Sequence, residues 1–242
     1  MPTVHLGCSG FLYDHWKGPF YPDDLPKKRW FDYYCTAFSS LELNVTFYRL
    51  PDRDTVARWY RASPRDFVFA VKGSRFITHI KRLKGVAGSL DLFFSRILAL
   101  KEKLGVVLWQ LPPRFPADPP RLHEFLKTLG RYGARNAFEF RDATWVSRTI
   151  VSLLEEANAS FCLADWPAFA DALPLTAGFV YLRRHGKGGT YATSYTRAEL
   201  NSDAVRIGKY LGSGRDVFIY FNNDAFGYAP KNAQELKKML EP

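Results

Sequence analysis

Leu41-Glu42-Leu43-Asn44-Val45-Thr46-Phe47-Tyr48-Arg49-Leu50-Pro51 is the stretch on which the reading of the whole chain turns. Side chains in a strand alternate between faces with period two. Leu41, Leu43, Val45 and Phe47 therefore share one face, and Glu42, Asn44 and Thr46 the other. A carboxylate and an amide stand where a strand buried on both sides would carry Val. A half-exposed antiparallel strand with one wet face also accounts for this stretch alone. It does not account for the recurrence of the same pattern through the chain.

Strands are expected at Thr3 to Ser9, Ser39 to Asn44, Phe67 to Lys72, Val106 to Gln110, Asn136 to Arg141, Ser160 to Asp165, Phe179 to His185 and Val217 to Asp224. Between them lie segments of helical spacing: Trp30 to Phe38, a helix capped by Asp54, Ser89 to Lys103, Pro119 to Leu129, Val146 to Glu156, Arg197 to Leu211 and Asn232 to Leu240. Trp166 to Thr176 is short and broken by proline, so only a rudimentary helix is expected there. Eight strands alternating with helices are what a (β/α)8 TIM-like barrel requires. Polar residues gather at the C-terminal ends of these strands, which in a barrel converge on one mouth. An open doubly wound sheet would collect them only near its switch point, and no glycine fingerprint for a dinucleotide or a P-loop is present.

The 242 residues, 47% of them hydrophobic and undivided by any Ser/Gly/Pro-rich stretch, suit one domain over residues 1–242. No apolar run is long enough to span a bilayer and nothing at the N-terminus resembles a signal peptide, so the expected compartment is the cytoplasm, with no membrane partner. Cys8, Cys35 and Cys162 are odd in number and lack CxxC spacing, as free buried thiols do. The net charge of +10 is concentrated: residues 61–101 hold nine Lys or Arg against Asp66 and Asp91. This describes either a solvated basic face or attraction for phosphate or nucleic acid. The aromatic loop Gly10 to Pro22 reads either as packing against the core or as a stacking platform.

Several of these stretches together resemble the YecE-like family, a domain of unknown function, number seventy-two. The resemblance runs from Gly7-Cys8-Ser9-Gly10 and Trp16-Lys17-Gly18-Pro19-Phe20-Tyr21-Pro22 through Glu42-Leu43-Asn44-Val45-Thr46-Phe47-Tyr48 and Ile77-Thr78-His79. It continues in Gln110-Leu111-Pro112-Pro113, Glu139-Phe140-Arg141, Arg183-Arg184-His185-Gly186 and Tyr220-Phe221-Asn222-Asn223-Asp224. The resemblance implies a TIM-like barrel and says little about activity. The first loop carries Phe11 and Tyr13 where the family commonly has Trp and Tyr, and Arg184 takes the variable place of an Arg-x-His-Gly signature.

At the mouth, carboxylates Glu42, Glu139 and Asp165 face cations Lys72, Arg141 and Arg183, with His185 titratable and Asp224 at the rim. Burying that many charges costs several kcal/mol each unless they pair. The leading expectation is an acid–base enzyme acting on a phosphate- or carboxylate-bearing substrate by hydrolysis or isomerisation. Its proposed catalytic groups are Glu42, Glu139, Asp165 and His185: Glu139 or Asp165 would act as base and His185 as acid. Lys72, Arg141 and Arg183 would clamp the anion. Asn44, Tyr48, His79, Gln110, Asn222, Asn223 and Asp224 would complete the substrate contacts. One alternative is metal-dependent phosphodiester cleavage, with Glu42, Glu139, Asp165 and His185 holding a divalent ion, although no metal motif is present and no cofactor is required. Another is a non-catalytic nucleic-acid or protein binding module, in which Tyr13, Trp16, Phe20 and Tyr21 stack bases. A purely structural salt-bridge layer is the last. Oligomeric state is open.

Overall fold

The computed structural model of the chain describes residues 1–241. Its strands are β1 (Val4–Cys8), β2 (Ser40–Leu43), β3 (Val68–Lys72), β4 (Leu104–Gln110), β5 (Asn136–Glu139), β6 (Ser160–Ala164), β7 (Phe179–Arg184) and β8 (Asp216–Phe221). Neighbours in chain order pair in parallel from β2 through β8, and β8 then pairs with β1. β1 meets β2 through a single bridge, Ser9 with Glu42, and through the Gly10 N–H donating to the Glu42 carbonyl at 2.9 Å. The result is a nearly closed (β/α)8 barrel. Gly7 makes that seam feasible, because a Cβ there would overlap the Ser40 carbonyl and hold β1 off β2.

The helices are α1 (Trp30–Ala37), α2 (Val45–Tyr48), α3 (Arg53–Ala62), α4 (Ala87–Ile97), α5 (Pro119–Leu129), α6 (Arg148–Glu156), α7 (Arg197–Gly212) and α8 (Tyr228–Leu240). Outward strand residues such as Phe69, Trp109 and Phe138 pack beneath them: Trp109 stands edge-on to Phe125 of α5, and Phe69 stacks on Phe31 of α1. Inside the barrel, small residues offset large ones, as a filled lumen requires. Gly7 lies beside Tyr220, and Ala164 beside Arg183.

Several boundaries differ from those the sequence suggests. Val45 to Tyr48 is the turn of helix α2 and does not continue the strand, so Val45 is exposed and does not share a face with Leu41. The Thr46 hydroxyl ends β2 by donating to the Lys72 carbonyl at 2.6 Å, where the neighbouring strand stops as well. Helix α3 is capped by Asp52 and not Asp54, because Asp52 Oδ1 accepts from the Thr55 N–H at 2.6 Å. Ser147 caps α6, α7 starts with a Thr196/Glu199 capping box, and α4 gives way to a tighter helix at Leu98. After β6, by contrast, the segment forms a single 3-10 turn, Ala168–Ala172, in keeping with the rudimentary helix expected there. No helix among the described residues is long and apolar enough to cross a membrane.

Candidate active site

Alternation along β2, β5 and β7 carries Glu42, Glu139, Tyr181 and Arg183 into the upper lumen, where each is buried. Arg183 bridges the two carboxylates: Nη1 donates to Glu139 Oε2 at 2.6 Å, and Nη2 to Glu42 Oε1 at 2.8 Å and Ser9 Oγ at 2.9 Å. Glu42 also accepts from the Tyr181 hydroxyl at 2.6 Å and from the Ser9 hydroxyl. Arg183 therefore has only its Nε uncommitted, and its fork is a tie between strands that leaves little for a ligand. Ser9 and Tyr181 are part of this network although the sequence did not single them out. Tyr181 shares the face of Arg183 two residues on, and Ser9 ends β1, so strand alternation offered a signal for both.

Arg141 lies one residue pair beyond the end of β5. Its Nη2 meets Glu139 Oε1, and its guanidinium lies over the Trp166 ring at 4.4 Å. Its Nε and Nη1 are buried without a hydrogen-bond partner among the described residues. His185 Nε2 lies 3.3 Å from Glu139 Oε1 and 3.1 Å from Arg141 Nη2, while Asn222 Nδ2 is 3.0 Å from His185 Nδ1. With the Asn222 amide donating to Nδ1, the imidazole proton sits on Nε2 and faces the carboxylate.

Burial alone would raise the Glu139 carboxyl, but the Arg141 and Arg183 guanidiniums outweigh it and hold the group well below the usual carboxylate range. Glu139 is thus a persistent anion and a weak base. Burial pushes the His185 imidazole below its ordinary value despite Glu139, so the ring is neutral at neutral pH. Both points depart from the roles expected from sequence.

Among the described residues, Lys72, at the end of β3, is the one lumen cation that is partly exposed. Its Nζ lies 4.5 Å from the Phe47 ring centroid. Burial, with the Arg183 charge next, brings its ammonium from 10.5 down to about 8. The same Phe47 ring meets the His79 imidazole edge-on at 5.0 Å. The Thr78 hydroxyl donates to the Ser74 carbonyl at 3.1 Å and has no second proton for His79 Nδ1, 2.9 Å away. His79 must then carry its proton on Nδ1, which leaves a lone pair on Nε2. Burial, with Lys72 next, lowers this imidazole to about 4.

The other expected residues divide between the mouth and its surroundings. Asn44 donates to Ser9 Oγ at 3.0 Å while its own Oδ1 is unpartnered among the described residues, and Gln110 ends β4 beside Glu139 of β5. Asp165 is turned away from the ion pairs. Its Oδ1 accepts from the His185 backbone N–H at 2.8 Å, its Oδ2 from the Tyr195 hydroxyl, and it lines a separate cavity of about 550 Å³ toward α7. It positions the His185 turn. Asn223 faces outward to Asn232 of α8 at 3.0 Å, and Tyr48 is 80% exposed. The Asp224 carbonyl anchors the first loop by accepting from Trp16 Nε1 at 3.0 Å. In that loop Trp16, Phe20 and Tyr21 are buried, with Tyr21 stacked on Trp30 at 4.5 Å, so these rings belong to the core and offer no platform for bases. Glu42 and Glu139 both face guanidiniums, and no metal-holding group of three His, Cys, Asp or Glu forms among the described residues. This donor set does not fit a divalent ion.

The chain as a whole is similar to other proteins. YunF of Bacillus subtilis (strain 168), a UPF0759 protein, is 22% identical over 270 residues, covering 98% of this chain and 95% of its own. The UPF0759 protein YecE of Escherichia coli (strain K12) is 33% identical over 97 residues, 40% of this chain and 36% of that protein. A DUF72 family protein of Thermotoga maritima superposes with a TM-score of 0.87 at 29% identity, over 99% of this chain and 100% of the other. With the barrel fold and these relatives in agreement, and with residues 5–242 matched by the family described as "Protein of unknown function DUF72", the chain belongs to that family.

Proposed function

We propose that the barrel mouth binds a small carboxylate- or phosphate-bearing molecule and carries out proton transfer on it. The observation that carries this reading is the pair of buried guanidinium nitrogens of Arg141 that lack an acceptor. Leaving such donors unpaired costs about 1–3 kcal/mol each or more, so an acceptor from outside the chain is strongly favoured. Charge points the same way: Glu42 and Glu139 are matched by Arg141 and Arg183, and Lys72 leaves the cluster net positive.

In this reading Arg141 and Lys72 hold the anion, and Arg183 supports the floor. Asn44, Gln110 and Asn222 orient the remainder of the substrate. His185, neutral and with its Nε2–H facing Glu139, exchanges the proton at Nδ1 once the substrate takes the place of the Asn222 amide there, and the carboxylate stabilises the imidazolium that forms. Tyr191 covers this imidazole edge-on at 5.4 Å, so binding displaces the Tyr191 segment. The buried aromatic loop and the arginine-tied glutamates favour this reading over a base-stacking module and over a metal-dependent hydrolase.

Calorimetric titration with inorganic phosphate and with pyruvate tests it. Binding is expected for at least one of them, weakened at least tenfold in Arg141→Met and unchanged in Asn223→Ser. Absence of binding for both, or binding indifferent to Arg141, overturns the reading.

A further inference from the structure

We infer that Lys72 is a covalent site, an amine that condenses with the carbonyl carbon of a small oxo-anion held at the barrel mouth. This rests on the anion reading above and adds to it a substrate class: molecules that carry a ketone or aldehyde together with a carboxylate or phosphate.

The comparison with Lys103 carries the argument. Lys103 is also buried, and its ammonium is fully committed, donating to the Tyr60 carbonyl at 2.8 Å, the Ser63 carbonyl at 2.9 Å and Ser63 Oγ at 2.8 Å. That is how a fold keeps a lysine as a structural cation. Lys72 is held in the opposite way. Among the described residues its ammonium makes no hydrogen bond and no ion pair, because Glu42 and Glu139, the two carboxylates that act on it, are already engaged by Arg183 and Arg141. Its charge rests against the face of Phe47, and Arg183 and Arg141 repel it. It ends a barrel strand, points into the lumen and is partly exposed. A lysine desolvated and set beside other cations is the usual arrangement of an amine nucleophile.

The chemistry balances with groups already in place. Deprotonated Lys72 Nζ donates its lone pair to the carbonyl carbon, forming a C–N bond as the C=O π pair moves to oxygen. The alkoxide and the nitrogen exchange a proton to give a carbinolamine. Protonation of its hydroxyl and loss of water then leave the iminium ion. The net change is amine plus carbonyl giving iminium plus hydroxide, which is released as water on taking a proton. His79, whose ring meets the same Phe47 edge-on at 5.0 Å and whose Nε2 keeps a free lone pair, receives and returns the proton, and the anionic end of the substrate lies with Arg141. With an ammonium at about 8 in place of 10.5, the reactive amine at pH 7 is about 300-fold more abundant than in an ordinary lysine.

The test is reductive trapping. The 242-residue chain is incubated with pyruvate or with dihydroxyacetone phosphate, sodium borohydride is added, and adducts are located by intact mass and peptide mapping. One adduct is expected, at Lys72, with a rate that rises with pH to a midpoint near 8, and with none in Lys72→Arg, whose fold is checked by circular dichroism. Label spread over exposed lysines with Lys72 unmodified overturns the inference. Phosphate titration of the same samples separates the two readings: if phosphate binds through Arg141 and Lys72 remains unlabelled, only the covalent inference falls. If phosphate does not bind, the neutral aldehyde glycolaldehyde decides Lys72 alone, and its failure to label that residue overturns the covalent site as well.

Discussion

Replacing Lys72 by Met should stabilise the folded protein at neutral pH, which is unusual for removal of a charged side chain. Holding an ammonium at about 8 in the fold, against 10.5 for an ordinary lysine, costs the native state about 3 kcal/mol at any pH below 8. Met retains the apolar stem against Phe47 and forfeits only the cation–π contact, worth about 1 kcal/mol. The expected net gain at pH 6.5 is about 2 kcal/mol, or about 4–8 °C in melting temperature for a chain of this size. The sign of the pH dependence follows from proton binding. Between about 8 and 10.5 the unfolded chain holds the proton and the folded chain does not, so wild-type stability rises with pH across that window. The advantage of the variant should therefore disappear by pH 10. Urea denaturation of both proteins at pH 6.5 and pH 10, followed by circular dichroism, measures it as a difference in which other titrating groups cancel. A variant less stable than wild type at pH 6.5, or a gain that is equal at the two pH values, would refute the description of Lys72 as a desolvated and unpaired cation.

Glu139→Gln should act in the opposite direction. Glu139 is ionised and tied to Arg141 and Arg183, so its loss at pH 7 should cost about 3–5 kcal/mol by leaving guanidiniums buried and underpaired. Because its folded carboxyl lies well below the unfolded value, that stabilisation is present above about pH 4.3 and is lost as pH falls toward the folded value. Acid denaturation curves of the two proteins should therefore converge below pH 4, and a constant gap would contradict the assignment. At the start of α3, Asp52→Ala should lower the melting temperature and Asp54→Ala should leave it nearly unchanged, since only the Asp52 carboxylate accepts the Thr55 N–H.

Period two was enough to place Glu42, Glu139, Arg183 and His185 toward the lumen, because a buried parallel strand has few reasons to carry a charge inward. The same rule failed at Val45 and Phe47. There the strand ends at Leu43, and the Thr46 hydroxyl closes a turn by bonding the end of the neighbouring strand, a contact set by β3 and not by local spacing. The Asp52 cap was missed for a similar reason. Both Asp52 and Asp54 precede the helix at plausible positions, and only backbone geometry at Pro51-Asp52 selects between them. Asp165 and Asn223 sit at strand ends like the others, yet the turns that follow direct one to the His185 backbone and the other outward to Asn232.

The sequence by itself determined the barrel, the end of it that carries the polar side chains and the family to which the chain belongs, because strand alternation, helix spacing and the run of motifs are local properties repeated along the chain. Tertiary structure alone decided which charges satisfy one another. Arg183 spans Glu42 and Glu139 from two other strands, which commits its fork to the fold and leaves Arg141 Nε and Nη1 short of acceptors. That partition depends on the width of the lumen and the stagger of strands far apart in sequence, and distances between side chains 44 and 141 residues apart are not encoded in any local pattern.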